Sequence, residues 1–190
     1  EFVGTFARMT GVAIENFRLV NKVIENERYQ ESLNIARKVQ QKLLPTRFAE
    51  NAHFEAFASS QSGDEVGGDY YDFFRISDAR TMLIIGDVSG KGTSAAFHMA
   101  QMKGVFHSLV ELHPPPHRFL ALANSALGRC LDRNQFVTAS VFLVDTDKRV
   151  IHHARGGHCP AIFYRSETQQ AVFLQNKGMG LGLLRKPEYI

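Results

Sequence analysis

The chain has 190 residues, 44% of them apolar and 22% charged, which describes one globular domain with an appendage rather than a disordered or fibrous polypeptide. Its formal net charge of +3 comes from basic residues scattered among acids, with no Lys/Arg block or aromatic platform, so nucleic acid is not an expected partner. Apolar runs such as 82–85 and 141–144 fall far short of the ~18 residues of a membrane span, no signal peptide stands near Glu1, and Cys130 and Cys159 lack any ligand or framework spacing; the expectation is a cytoplasmic protein without membrane insertion, disulfide framework or structural zinc.

Residues 2–44 contain no proline, and Phe6, Met9, Ala13, Phe17, Val20 and Ile24 recur every three or four positions, the period of a helical stripe. The stripe slips at 27–31, resumes at Leu33, Ala36, Val39 and Leu43, and ends at Pro45; the slip predicts a break or a coiled-coil stutter. At 1.5 Å per residue such a helix would be roughly 60 Å long, more than the following block can cover. Two readings stand: two ordinary helices packed on the body, or a signalling helix that dimerises with a second copy. The chain therefore divides into 1–44, a signalling or linker helix that could end a sensor domain, and 45–190, a separate folded block.

Beyond Pro45 the pattern changes to short runs of strand period at 53–59, 70–76, 81–86, 137–144, 150–154, 161–165 and 171–174. Polar turns at 77–80 and 145–148 are hairpin-sized, so the strands they join should be antiparallel neighbours. Helical patterns fill 92–112, which stops at Pro114-Pro115-Pro116, and 117–131. Three strands, two helices and four strands in that order imply an α+β fold with mostly antiparallel sheets.

The polar residues of greatest interest lie in Glu65-Val66-Gly67-Gly68-Asp69 and Gly86-Asp87-Val88-Ser89-Gly90. A four-residue turn at 77–80 pairs Ile76 with Thr81, which sets Asp69 opposite Val88 and diagonal to Asp87; a one-residue change in the turn would put the aspartates face to face. Like charges at such positions repel unless a cation lies between them. A hard ion such as Mg²⁺ or Mn²⁺ accepts carboxylate, carbonyl and water oxygens, and the neighbouring glycines would let backbone approach it. From pairing alone, solvated acids at strand ends with glycines serving turns remain the simpler reading. Residues 86–92 are not a Walker loop, because three residues rather than four separate the glycines and Gly92 follows Lys91. Residues 178–182 fit a structural loop better than a dinucleotide fingerprint. His158, beside Gly156 and Gly157, reads as a structural histidine rather than a catalytic one, and no nucleophile partner for it is visible.

Read together and in order, EVGGDYYDFF (65–74), GDVSGKGTSAA (86–96), FVTA (136–139), Gly157-His158 and Gly180-Leu181-Gly182 resemble the SpoIIE/RsbU branch of metal-dependent serine/threonine protein phosphatases of type 2C, over about residues 33–190. Val39-Gln40 and Leu43-Leu44-Pro45 resemble that family's lead-in helix, and residues 1–26 the closing helix of a GAF-type sensor domain. The resemblance implies two packed antiparallel sheets flanked by helices and preceded by the long helix, with a two-ion Mn²⁺ or Mg²⁺ site at one edge. It implies Asp69 and Asp87 as catalytic metal ligands, the carbonyl of Val88 as a further ligand, and attack of an activated water on a phosphoserine or phosphothreonine. The implied partners are a phosphorylated anti-anti-sigma protein of STAS type and, through the N-terminal helix, a second copy.

Two departures qualify this. Eukaryotic type 2C enzymes carry a histidine just after the second aspartate, a candidate general acid, whereas this chain has Val88-Ser89, so no acid is named. The family's later Asp-Gly motif and final aspartate would lie beyond Ile190, which makes 45–190 a C-terminally incomplete phosphatase domain, and these 190 residues are expected to be weakly active or inactive. The alternative function is a non-catalytic dimeric signalling module of phosphatase-like shape.

Overall fold

The computed structural model describes residues 2–47, 52–61 and 66–190. Helix α1 (Phe2–Leu43) runs unbroken for 42 residues, so the break expected at 27–31 does not occur. The helix is almost wholly exposed, with Leu33 its one buried residue among those described, so a slipped apolar stripe meets no packing that would bend it. Glu27, Arg28 and Glu31 are good helix formers, and Ser32 Oγ donates back to the Arg28 carbonyl at 2.9 Å.

The body follows as β1 (Asp69–Arg75), β2 (Arg80–Val88), α2 (Gly92–Val110), α3 (Pro116–Leu127), β3 (Val137–Asp145), β4 (Val150–Gly156), β5 (Ala161–Arg165) and β6 (Gln170–Leu174). Strands β1 to β4 form one antiparallel sheet in chain order, and β5 and β6 a separate two-stranded sheet, giving the expected α+β architecture with antiparallel sheets. Residues 53–59 form no strand. Their burial alternates as a strand's would, with Phe54, Ala56 and Ala58 half-buried, yet only Glu55 makes a bridge. Ala56, Phe57 and Ala58 instead help line a cavity of about 190 Å³ with Tyr71, Phe73, Leu83, Ile85 and Phe142. The last turns expected of both internal helices are also absent from them: α2 stops at Val110, and α3 gives way at Gly128 to tight turns.

Alternation along the sheet sends Tyr70, Met82, Ile84, Val88, Ala139, Val141 and Ala154 to one face, where Met99, Met102 and Phe106 of α2 and Phe119, Leu120, Ala123 and Leu127 of α3 complete the core. Aromatic edges meet in its centre, with ring centroids 6.3 Å apart for Tyr70 and Phe106 and 5.7 Å for Phe106 and Phe119. Asp72 points into this same layer and is answered there by Lys103 and His107 of α2. The other face of the sheet carries the acids of interest.

Candidate active site

The β1–β2 turn decides which residues meet. Ile76 and Ser77 both donate backbone N–H groups to the carbonyl of Arg80, the first residue of β2, at 2.9 and 3.1 Å, and Arg75, not Ile76, pairs with Thr81. Asp69 therefore stands directly opposite Asp87 rather than opposite Val88, the alternative that a one-residue change in the turn produces. The β2–β3 register puts Thr138 opposite Asp87, so Asp69, Asp87 and Thr138 form a row across three strands.

Among the described residues no cationic side chain forms an ion pair with either carboxylate. Asp69 Oδ2 accepts a hydrogen bond from Ser60 Oγ at 2.9 Å. The Asp87 carboxyl is pushed above its ordinary range by partial burial and then by the negative charge of Asp69, with His158 opposing. Gly68 explains how a carbonyl joins them. A Cβ at this position would collide with the Val88 carbonyl oxygen and stand 3.0 Å from Asp87 Oδ1, so only glycine lets Asp69, Asp87 and the Val88 carbonyl share one space. Two carboxylates and a carbonyl are a donor set for a hard cation. Among the described residues no three His, Cys, Asp or Glu side chains gather around a possible ion, so water oxygens would have to fill the remaining positions that these residues leave. Glu65, the first residue of the acidic motif, lies outside the described residues.

The other matched motifs brace this corner. Ser89 donates its N–H to the Phe136 carbonyl and accepts the Phe136 N–H at Oγ, both at 2.9 Å, which fastens the loop after Asp87 to the start of β3. Leu181 and Val137 exchange backbone hydrogen bonds of 2.7 and 3.0 Å, and Asn124 Oδ1 accepts the Gly182 N–H at 2.8 Å. Residues 178–182 are thus structural, as expected. His158, read as structural, lies at this corner: its Nδ1 is 2.8 Å from Oγ1 of Thr138, the register partner of Asp87. Burial lowers the pKa of this imidazole, while the charges of Asp87 and Asp69 pull it the other way.

One further residue, noticed in the sequence only as part of the lead-in helix, reaches this corner. The Gln40 side-chain amide on α1 donates to the Gly67 carbonyl and accepts the Gly67 N–H at 3.2 Å, gripping the backbone just ahead of Asp69 from both sides. Gln40, Arg37, Leu44, Ser60 and Asp69 help line a cavity of about 260 Å³ between α1 and the start of β1. An amide that binds backbone leaves no spacing signature, so only the resemblance drew notice to this position. Gln40→Ala is expected to leave the protein folded and to weaken Mn²⁺ binding about 10-fold, the low end for loss of an outer-shell partner. Calorimetric titration of Mn²⁺ checks this, and unchanged affinity would count against control of the site by α1.

The family described as Stage II sporulation protein E (SpoIIE) matches residues 77–190. Phosphoserine phosphatase RsbU of Bacillus subtilis is 29% identical over 160 residues, 84% of this chain and 48% of that protein, so the chain spans about half of that relative's length. Among solved structures, the SiaA-PP2C domain of Pseudomonas aeruginosa has a TM-score of 0.65 at 18% identity, over 87% of this chain and 67% of that one. RsbX, solved in complex with magnesium, has a TM-score of 0.60 at 18% identity, over 76% of this chain and 70% of that one. At such identities the two structures speak to the fold, which is theirs.

Proposed function

The chain belongs to the SpoIIE family, and from that membership we propose that it is the catalytic part of a metal-dependent phosphatase acting on phosphoserine or phosphothreonine. The observation that carries the reading is the direct opposition of Asp69 and Asp87 with the Val88 carbonyl beside them at Gly68. Opposed like charges cost stability; a pair of Mn²⁺ or Mg²⁺ ions would turn that cost into a ligand set. The names of the relatives support the reaction, since RsbU and RsbP of Bacillus subtilis are both phosphoserine phosphatases.

In this reading Asp69 and Asp87 hold the ions, Ser60 fixes the Asp69 carboxylate through its hydrogen bond, and Gly68 keeps the space between the acids open to the Val88 carbonyl. Bound there, divalent cations supply Lewis acidity that activates water and offsets phosphoryl charge. The substrate class is a small phosphorylated regulatory protein of the STAS, anti-anti-sigma type, and the setting is the cytoplasm. Among the described residues no helix is long and apolar enough to cross a membrane. Residues 1–44 act as the signalling helix and 45–190 as the phosphatase block. Titration with Mn²⁺ tests the site: saturable binding that disappears in Asp87→Asn is expected. Identical binding in the variant would favour a non-catalytic module of the same shape.

The exposed stripe of α1 indicates the second partner. Phe6, Met9, Phe17, Val20 and Ile24 are 41–68% exposed and recur at the three-four spacing of a coiled-coil seam. A second copy in parallel would cover the stripe and carry a rotation of the helix toward Gln40. Sedimentation velocity at micromolar concentration is expected to show a dimer that becomes a monomer on Phe17→Glu with Val20→Glu. A monomer in both forms would contradict this assembly.

A further inference from the structure

His158 is delivered to the site by a narrow backbone route. Strand β4 ends at Gly156, and Gly157 adopts φ +71° while bridging Ala139 in the parallel sense. A Cβ at Gly157 would stand 2.7 Å from the Gly180 nitrogen, so the passage suits glycine on both conformational and steric grounds. The next residue is then held by its own carbonyl, which accepts from Arg155 Nη1 at 2.6 Å while Arg155 Nε donates to the Asn176 carbonyl at 2.9 Å. His158 thus sits beside Thr138, the register partner of Asp87.

The hydrogen bonds of Thr138 link the tautomer of His158 to the backbone of Asp87. Its hydroxyl has one hydrogen to give and two acceptors to choose from, His158 Nδ1 at 2.8 Å and the Asp87 carbonyl at 3.5 Å. If that hydrogen goes to Nδ1, the shorter contact, the neutral ring carries its own hydrogen on Nε2; if it goes to the Asp87 carbonyl, Nδ1 is the ring's donor to Thr138. Nε2 has no hydrogen-bond partner among the described residues and is not among the buried, unsatisfied atoms. In the first tautomer the ring, held beside the row formed by Asp69, Asp87 and Thr138, has Nε2–H as an open donor.

We propose that His158, oriented by Thr138, donates its Nε2–H to a phosphoryl oxygen of the bound phosphate monoester. This rests on the phosphatase reading and adds to it the group that recognises the phosphoryl oxygens. A neutral donor suits the position, because it binds an anionic oxygen without competing with cations for the two carboxylates. Its role is a hydrogen bond alone; no proton changes hands. One preorganised donor of this kind is worth roughly 100-fold in rate.

The test uses the longest polypeptide that carries this chain, with a phosphoserine peptide as substrate and inorganic phosphate as competitive inhibitor, both with Mn²⁺. His158→Ala is expected to lower kcat/KM about 100-fold and to raise the phosphate inhibition constant, with Mn²⁺ affinity and Tm unchanged. His158→Gln, which restores an N–H near Nε2, should recover part of the loss, and Thr138→Val should reproduce part of it. An active parent protein whose His158→Ala variant keeps both constants within about twofold overturns the inference and leaves the phosphatase reading standing. A fall in Mn²⁺ affinity matching the fall in rate also overturns it, since His158 would then serve the metal. Absence of metal-dependent hydrolysis in the parent protein defeats the phosphatase reading itself, and this inference with it.

Discussion

Replacing Asp87 or Asp69 by asparagine is expected to remove metal-dependent hydrolysis while making the metal-free fold slightly more stable. The two carboxylates face each other across β1 and β2, and the Asp87 carboxyl is already pushed up by partial burial and by Asp69. Neutralising either one relieves a like-charge pair worth about 0.2–1 kcal/mol. For a chain of this size that corresponds to a rise in Tm of roughly 0.4–4 °C, measured by thermal melting in chelator. Catalysis should move the other way. Outer-shell partners of metal ligands are worth 10–100-fold, so loss of a ligand should cost more than about 100-fold in kcat/KM. Opposite signs for stability and activity are what a functional pair of opposed acids requires. A variant that melts lower and keeps its activity would assign these aspartates a structural role.

Asp72, farther along β1 and facing the helices, should behave in the opposite manner. Its carboxylate is buried and accepts hydrogen bonds from Lys103 Nζ at 2.7 Å, His107 Nε2 at 2.9 Å and Tyr70 Oη at 2.9 Å, with the Phe73 N–H on its other oxygen at 2.9 Å. Asp72→Ala strands the Tyr70 hydroxyl in the core and leaves the ammonium of Lys103 half-buried without its counter-charge. Breaking a buried pair in this way costs about 3–5 kcal/mol, which corresponds to a fall in Tm of roughly 6–20 °C. Burial alone would push the Asp72 carboxyl up, but the bonds from Lys103, His107, Tyr70 and Phe73 outweigh it and hold the folded-state pKa below the ordinary value. A depressed pKa contributes stability that is fully present above the unfolded pKa, about 4, and is lost as pH falls through the lower folded value. Denaturant midpoints should therefore drop below about pH 4 in the parent protein and much less in Asp72→Asn. An equal drop in both would remove Asp72 as the cause.

The strands could be read from the sequence because a half-buried antiparallel sheet imposes period two: 161–165 coincides with β5, and 137–144 differs from β3 only by Asp145. Register could not be read, since it depends on a turn in which Arg80 accepts two backbone N–H groups and so draws Ile76 out of the strand. The continuity of α1 was hidden for a related reason. A slipped stripe bends a helix only where something packs on it, and α1 is exposed throughout its first half. Alternation at 53–59 misled because burial of Phe54, Ala56 and Ala58 against the body mimics a strand without its ladder. Of the candidate site, Asp69, Asp87 and Val88 were legible through motif and hairpin together. Gln40, Thr138 and His158 stood within the matched motifs, but their contacts could not be read, because each acts through a residue remote in sequence: Gly67 for Gln40, the Asp87 register for Thr138, and Thr138 itself for His158.

The central claim is that the facing aspartates of the β1–β2 hairpin form the metal site of a protein phosphatase. Its most direct test is the initial rate of phosphate release from a phosphoserine protein by a polypeptide carrying these residues, measured with Mn²⁺ and with chelator, beside Asp87→Asn. The account predicts release that requires the metal and falls more than about 100-fold in the variant. Release that persists in chelator, or that Asp87→Asn leaves unchanged, would contradict it.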